Sequence, residues 1–173
     1  MFSNKPNSNQ WPEIGIDGQK ENRFEVRLLA RGRNGIVVWL SKGATTDTDY
    51  LSLAVVNGSI ELSFNLGAQK DLLFARSDRR VDDHRFHSVL VHRTERAATL
   101  RVDDDPPVTV ESEAGANRLD TDGVLWIGGS PGLPTGLPPH YYSGFDGCVE
   151  WVRVDGEPLP LWSHSTASRL EFC

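Results

Sequence analysis

Between Asp49 and Leu66 the chain runs Asp-Tyr-Leu-Ser-Leu-Ala-Val-Val-Asn57-Gly58-Ser-Ile-Glu-Leu-Ser-Phe-Asn-Leu, two alternating segments joined by Asn-Gly. Asn-Gly in that setting predicts a two-residue type I′ hairpin turn, because both central positions need positive φ, which Asn and Gly adopt at least cost. The turn fixes the register. Val56 opposes Ser59, and Val55–Ile60, Leu53–Leu62 and Leu51–Phe64 follow on one face. Ala54–Glu61, Ser52–Ser63 and Tyr50–Asn65 fall on the other. One face is apolar throughout and the other mostly polar, so a slip of one residue would turn the apolar set outward. Continued one step, the register sets Asp49 against Leu66 on the apolar side, at the open end of the hairpin. A carboxylate at the rim of a buried face must be solvated, hydrogen-bonded or matched to positive charge. A hard cation shared with a main-chain carbonyl satisfies it, and so does a turn cap with water beyond it.

The rest of the chain has the same texture. Sixteen glycines and ten prolines separate short runs rich in Val, Leu, Ile and Phe. Strands are expected at Phe24–Ala30, Gly35–Ser41, Asp49–Val56, Ser59–Leu66, Asp71–Arg76, Phe86–Arg93, Ala97–Val102, Pro107–Val110, Gly123–Gly128 and Gly147–Val154. Short strands with turn signals between them, and no sustained helical period, predict an all-β sandwich or barrel. Leu161–Leu170 is the one mildly helical stretch. Residues 1–21 read as a flexible lead-in, partly of cloning origin, and residues 22–173 as one domain. The Pro- and Gly-rich segment Ser130–Pro139 reads as a surface loop within that domain.

Eighteen basic residues against 24 acidic give a net charge of −6, which argues against non-specific nucleic-acid binding. The longest apolar run, Ile36–Leu40, is far short of the ~20 residues of a membrane helix, so no membrane insertion is expected. With no apolar signal segment near Met1, the chain is expected to be cytosolic, a mature secreted form or an excised piece. Cys148 and Cys173 are compatible with one disulfide, but two cysteines fix no compartment.

Several spaced pieces together resemble a laminin G-like (laminin–neurexin–sex-hormone-binding-globulin) domain. They are Gly35-Ile-Val-Val-Trp39, Asp49-Tyr-Leu-Ser-Leu with Asn57-Gly58, and Asp83-His-Arg-Phe-His-Ser-Val-Leu-Val-His-Arg93. Leu100-Arg-Val-Asp103, Leu125-Trp-Ile-Gly-Gly129, Phe145-Asp-Gly-Cys-Val-Glu-Trp-Val-Arg-Val-Asp-Gly156 and the terminal Cys173 follow in order. The family's Asp-Gly-x-Trp-His stands here as Asp83-His84-Arg85-Phe86-His87, which keeps an aromatic plug. The resemblance implies an antiparallel two-sheet jelly-roll sandwich of the concanavalin-like, laminin G type, in an extracellular matrix or adhesion protein and as part of a longer multidomain chain. It also implies a Cys148–Cys173 disulfide, whose loop closure is worth ~3 kcal/mol in the chain-entropy account. Many members bind Ca²⁺ on one rim through two Asp side chains and two backbone carbonyls. By position these fall on Asp49, Leu66, Arg118 and Asp120, with Asp122 the substitute if the loop is shifted. Such a site, completed by water or a partner's acid, implies affinity in the weak extracellular range of ~10⁻⁴–10⁻³ M.

Other motifs weigh less. Gly128-Gly-Ser130-Pro-Gly132 has the letters of a nucleophile elbow, but Pro131 removes the N–H after the serine and no helix follows. Asp120-Thr-Asp122-Gly123 opens like an EF-hand loop without its twelfth-position Glu. His84, His87 and His92 lack the further ligand a zinc site needs. Asp103–Asp105 reads as a solvated turn. Asn57-Gly58-Ser59 is an N-glycosylation sequon, although the turn alone explains Asn-Gly. Arg79, Arg80 and Arg85 fall in an expected turn, where guanidinium groups projecting together would suit a sulfated or acidic glycan beside the cation rim. The expected function is therefore binding, not catalysis: Ca²⁺ on the rim engages a cell-surface receptor or acidic glycan. An apolar, steroid-type carrier is one alternative, recognisable by a cavity between the sheets. A glycan hydrolase is another and would need a facing carboxylate pair.

Overall fold

The computed structural model describes residues 2–3, 9–11 and 19–161. Two antiparallel sheets pack face to face. One is ordered β1 (Phe2–Ser3), β12 (Gly147–Val154), β3 (Glu21–Ala30), β8 (Phe86–Thr94), β9 (Ala97–Val102) and β10 (Val108–Glu111), with β13 (Glu157–Pro158) also on β12. The other is ordered β2 (Asn9–Trp11), β11 (Leu125–Ile127), β4 (Gly35–Ser41), β5 (Tyr50–Val56), β6 (Ser59–Asn65) and β7 (Phe74–Arg80). A single 3₁₀ turn, Pro139–Tyr142, lies between β11 and β12. The strand pattern left sandwich or barrel open; the structure is the sandwich that the family resemblance implied.

The hairpin pairs as its turn demands. Every facing pair from Val56–Ser59 to Tyr50–Asn65 is present, and Asn57 and Gly58 have φ of 50° and 87°. Its apolar face meets Phe24, Val26 and Leu28 of β3 and Val89 and Val91 of β8 in the inter-sheet core. On β3 strict alternation separates that core from the outer surface.

Three features differ from the sequence expectation. The strand expected at Asp71–Arg76 instead spans Phe74–Arg80. The Asn65 side chain prolongs the preceding turn: its Oδ1 accepts from the N–H groups of Gly67 (2.8 Å) and Gln69 (3.1 Å), and its Nδ2 donates to the Thr46 carbonyl (2.9 Å). Secondly, β5 is buried on both faces, because the Pro- and Gly-rich segment folds back over the polar side of the hairpin. Leu137 and Tyr141 pack there against Ile36, Trp39, Tyr50, Ala54 and Val56 in a second apolar cluster. Thirdly, the expected lead-in contributes edge pairings, Phe2–Ser3 on β12 and Asn9–Trp11 on β11, which engage backbone groups that a sheet edge leaves open. Apart from Leu161, the mildly helical stretch lies outside the described residues.

Candidate functional site

The ladder between β5 and β6 ends at Tyr50–Asn65, so Asp49 and Leu66 stand one step beyond it. Leu66 is anchored by its side chain in the core. Asp49 is only 9% exposed. Gly67, with φ of +82°, follows Leu66 in a conformation that favours glycine, and a Cβ there would lie 2.8 Å from Asp49 Oδ1. The missing side chain leaves a notch beside the carboxylate.

The other half of the rim arrives from the segment between β10 and β11. Buried Leu119 anchors it in the core, and the Leu119 N–H donates to the Gln19 carbonyl at 3.0 Å. The Asp122 N–H donates to the Ser41 carbonyl at 3.1 Å, holding the segment against the end of β4. Between these two anchors the Asp120 N–H donates to Asp49 Oδ2 at 2.7 Å. Asp49 and Asp120, 71 residues apart, are thus side by side. Arg118 sits exposed on the same segment, two residues earlier. Asp122, the substitute ligand, points elsewhere: its Oδ1 accepts from the Val124 N–H at 2.9 Å.

Charge in the rim is divided among four groups. Lys42 follows β4; its N–H donates to the Asp49 carbonyl at 2.9 Å, and its ammonium pairs with the Asp120 carboxylate. Burial raises the Asp49 pKa above its ordinary value, and repulsion from Asp120 adds to this. The Asp120 N–H and the charges of Lys42 and Arg93 oppose the rise. Arg93 is fully buried, and desolvation pushes its guanidinium down to about 10, against the pull of Asp49 and Asp155. It donates to the carbonyls of Gln19 (2.7 Å) and Glu95 (2.6 Å) and to Asn22 Oδ1, so the Gln19 carbonyl receives both Arg93 and Leu119. The donor set is hard oxygen, a cradle stands open at Gly67, and a cation already neutralises one carboxylate. Those features fit a small oxygen-loving cation such as Ca²⁺.

The three arginines expected beside this rim are elsewhere. β7 runs to Arg80, its pairing with β6 is irregular between Arg76 and Arg80, and the two arginines take separate partners. Arg79 Nε donates to Asp105 Oδ2 at 2.7 Å. Arg80 donates to Asp82 Oδ1 at 3.0 Å and to the Asn57 carbonyl at 2.9 Å. That places Arg80 at the turn end of the hairpin, the length of β5 away from Asp49, about 25 Å at strand rise. Arg85 follows His84 in the turn before β8, where its N–H donates to Asp83 Oδ1 at 3.0 Å. Exposed Asn57 caps the same distant end.

His87 is clamped between carboxylates, Nδ1 to Asp103 Oδ2 at 2.7 Å and Nε2 to Asp83 Oδ1 at 2.9 Å. His92 bonds Glu21 at 2.7 Å, and among the described residues no group of three or more His, Cys, Asp or Glu is arranged for a metal. Asp103 and Asp105, expected as solvated, are thus both bonded. Cys148 is disulfide-bonded; Cys173 lies outside the described residues.

One cluster has no counterpart in the sequence reading. Glu61, 2% exposed, lies under the Pro- and Gly-rich segment. Its Oε1 accepts from the Tyr141 hydroxyl at 2.7 Å and its Oε2 from Arg76 Nε at 3.0 Å, while His140 Nε2 stands 3.9 Å from Oε1. An acid on the hairpin's polar face opposite small Ala54, with Tyr141-Tyr142 following a proline-rich run, was the only available signal.

A family profile described as Laminin G domain matches residues 28–160. The chain is 28% identical over 156 residues to a basement membrane proteoglycan of Caenorhabditis elegans, covering 89% of this chain and 4% of that protein. It is 30% identical over 142 residues to the mouse basement membrane-specific heparan sulfate proteoglycan core protein, covering 82% of this chain and 4% of that one. The fold superposes on mouse laminin alpha1 chain domains LG4-5 with a TM-score of 0.75 at 20% identity, covering 89% of this chain and 40% of that structure.

Proposed function

The chain belongs to the laminin G domain family, and on that footing we propose that it is an extracellular binding module whose Asp49–Asp120 rim holds Ca²⁺. The Asp49 and Asp120 carboxylates would hold the ion together with the main-chain carbonyls of Leu66 and Arg118. The ion's outward side would engage an acidic glycan or a receptor carboxylate. The observation that carries this reading is the 2.7 Å bond from the Asp120 N–H to Asp49 Oδ2, which brings two acidic residues from distant parts of the chain onto one lip. The short share of each proteoglycan relative that the chain spans, 4%, supports a place within a longer multidomain protein. Asn57, exposed at the hairpin tip, would carry an N-linked glycan that leaves the rim clear.

The test is thermal. About 10 mM Ca²⁺ acting on a site of ~10⁻⁴–10⁻³ M affinity stabilises the folded state by about 1.4–2.7 kcal/mol. Wild type should show the corresponding rise in Tm and Asp49→Ala should not. An equal rise in both proteins would remove Asp49 from the site.

A further inference from the structure

We infer that Lys42 is a tethered competitor for the rim cation: its ammonium holds Asp120 in the Ca²⁺-free state and must leave for the ion to enter. The inference rests on the Ca²⁺ reading above and adds how the affinity of that site is set.

Three observations place Lys42 in this role. Its backbone N–H is fixed on the Asp49 carbonyl at 2.9 Å, so the stem of the side chain starts at one ligand residue. Its ammonium ends on the carboxylate of the other ligand residue, Asp120. The Lys42 side chain is 53% exposed and that of Asp120 is 41% exposed, so the displaced ammonium has water to go to. No core packing has to break.

The chemistry sets the direction. Two neighbouring carboxylates repel each other, and in the absence of metal the nearest available cation neutralises one of them. An ammonium offers a single charge and three N–H donors. A dication offers two charges and accepts the lone pairs of both carboxylates and the nearby carbonyls at once. An ammonium resting on Asp120 and a dication beside it repel each other and crowd the same carboxylate. A flexible four-carbon stem lets Lys42 swing away while its main chain stays bonded to Asp49. The rim therefore binds Ca²⁺ more weakly than its ligands alone would allow, and Lys42 determines by how much.

Lys42→Met keeps most of the stem and removes the charge. Titration calorimetry with CaCl₂ on the full chain should show binding about threefold to tenfold tighter than wild type, since an exposed ion pair accounts for up to about fivefold and removal of ammonium–dication repulsion adds to it. Independently of affinity, Ca²⁺ should raise acylation of Lys42 by an N-hydroxysuccinimide ester, read by peptide mass spectrometry, and leave Lys20 and Lys70 unchanged. Binding seen only in Lys42→Met also supports the inference. If wild type binds, Asp49→Asn does not, and Lys42→Met binds no tighter than wild type, the competitor role is overturned and the Ca²⁺ site stands. If neither wild type nor Lys42→Met binds, the Ca²⁺ reading falls, and the competitor role falls with it.

Discussion

Replacing Tyr141 with Phe removes one hydroxyl and leaves the ring that packs on Ile36, Trp39 and Tyr50. That hydroxyl is the donor to Glu61 Oε1 at 2.7 Å, inside a region where Glu61 is 2% and Tyr141 0% exposed. Burial and the adjacent Glu61 charge raise the Tyr141 pKa, so the phenol stays protonated and keeps donating at any pH the protein encounters. A hydrogen bond to a charged group is worth about 1.5–3 kcal/mol, and its loss leaves a buried carboxylate oxygen underserved. Arg76 still holds Oε2, which places the expected cost near 2 kcal/mol. For a domain of this size that corresponds to a fall in Tm of about 4–8 °C. Equilibrium urea unfolding with the disulfide intact measures it, and limited proteolysis within Ser130–Pro139 reports whether the covering segment has loosened. Tyr142→Phe is the control: its hydroxyl donates to the Pro134 carbonyl at 2.7 Å, but the residue is 48% exposed and the cost should stay below about 1 kcal/mol. A Tyr141→Phe protein as stable as wild type, or no less stable than Tyr142→Phe, would refute the view that Glu61 latches this segment.

Two further outcomes are expected. Both ring nitrogens of His87 face carboxylates, as an imidazolium requires; burial pushes its pKa down, but Asp103 and Asp83 outweigh burial and hold it above 6.5. A raised pKa gives stability that is fully present below the unfolded value and is lost as pH rises through the folded one, so Tm should fall as pH rises above the ordinary imidazole value and His87→Gln should flatten that slope; an equally steep slope in the variant would contradict this. Gly67→Ala places a Cβ 2.8 Å from Asp49 Oδ1 at φ +82°, so it should cost about 1–2 kcal/mol in urea unfolding and reduce the Ca²⁺-induced rise in Tm; wild-type stability and an undiminished rise would deny the notch a role.

What could be read from the sequence was local and periodic. Asn57-Gly58 demanded positive φ at two successive positions, and that single turn determined seven facing pairs and the place of Asp49. Alternation along β3 likewise marked Phe24, Val26 and Leu28 as core. Long-range side-chain geometry was not legible. The Asn65 amide, which delays β7 and so carries Arg79 and Arg80 out of the expected turn and onto a strand, leaves no periodic trace. Nor does the fold-back that buries Glu61 under Tyr141, because a polar strand face looks the same whether water or a loop covers it. At the rim, position within the family pointed to Asp120 over Asp122; in the structure the Asp120 N–H bonds Asp49, whereas the Asp122 carboxylate accepts from the Val124 N–H. Lys42, just after β4, and Arg93, on β8, carry charge into the rim from separate parts of the chain, and no spacing rule connects them to Asp49.

A crystal structure of the full chain grown in millimolar Ca²⁺ tests the rim most directly. The account predicts one ion bound by an oxygen of Asp49 and an oxygen of Asp120 at about 2.3–2.6 Å, with the Lys42 ammonium turned away into solvent. Lys42 still resting on Asp120, with no ion between the two carboxylates at saturating Ca²⁺, would contradict it.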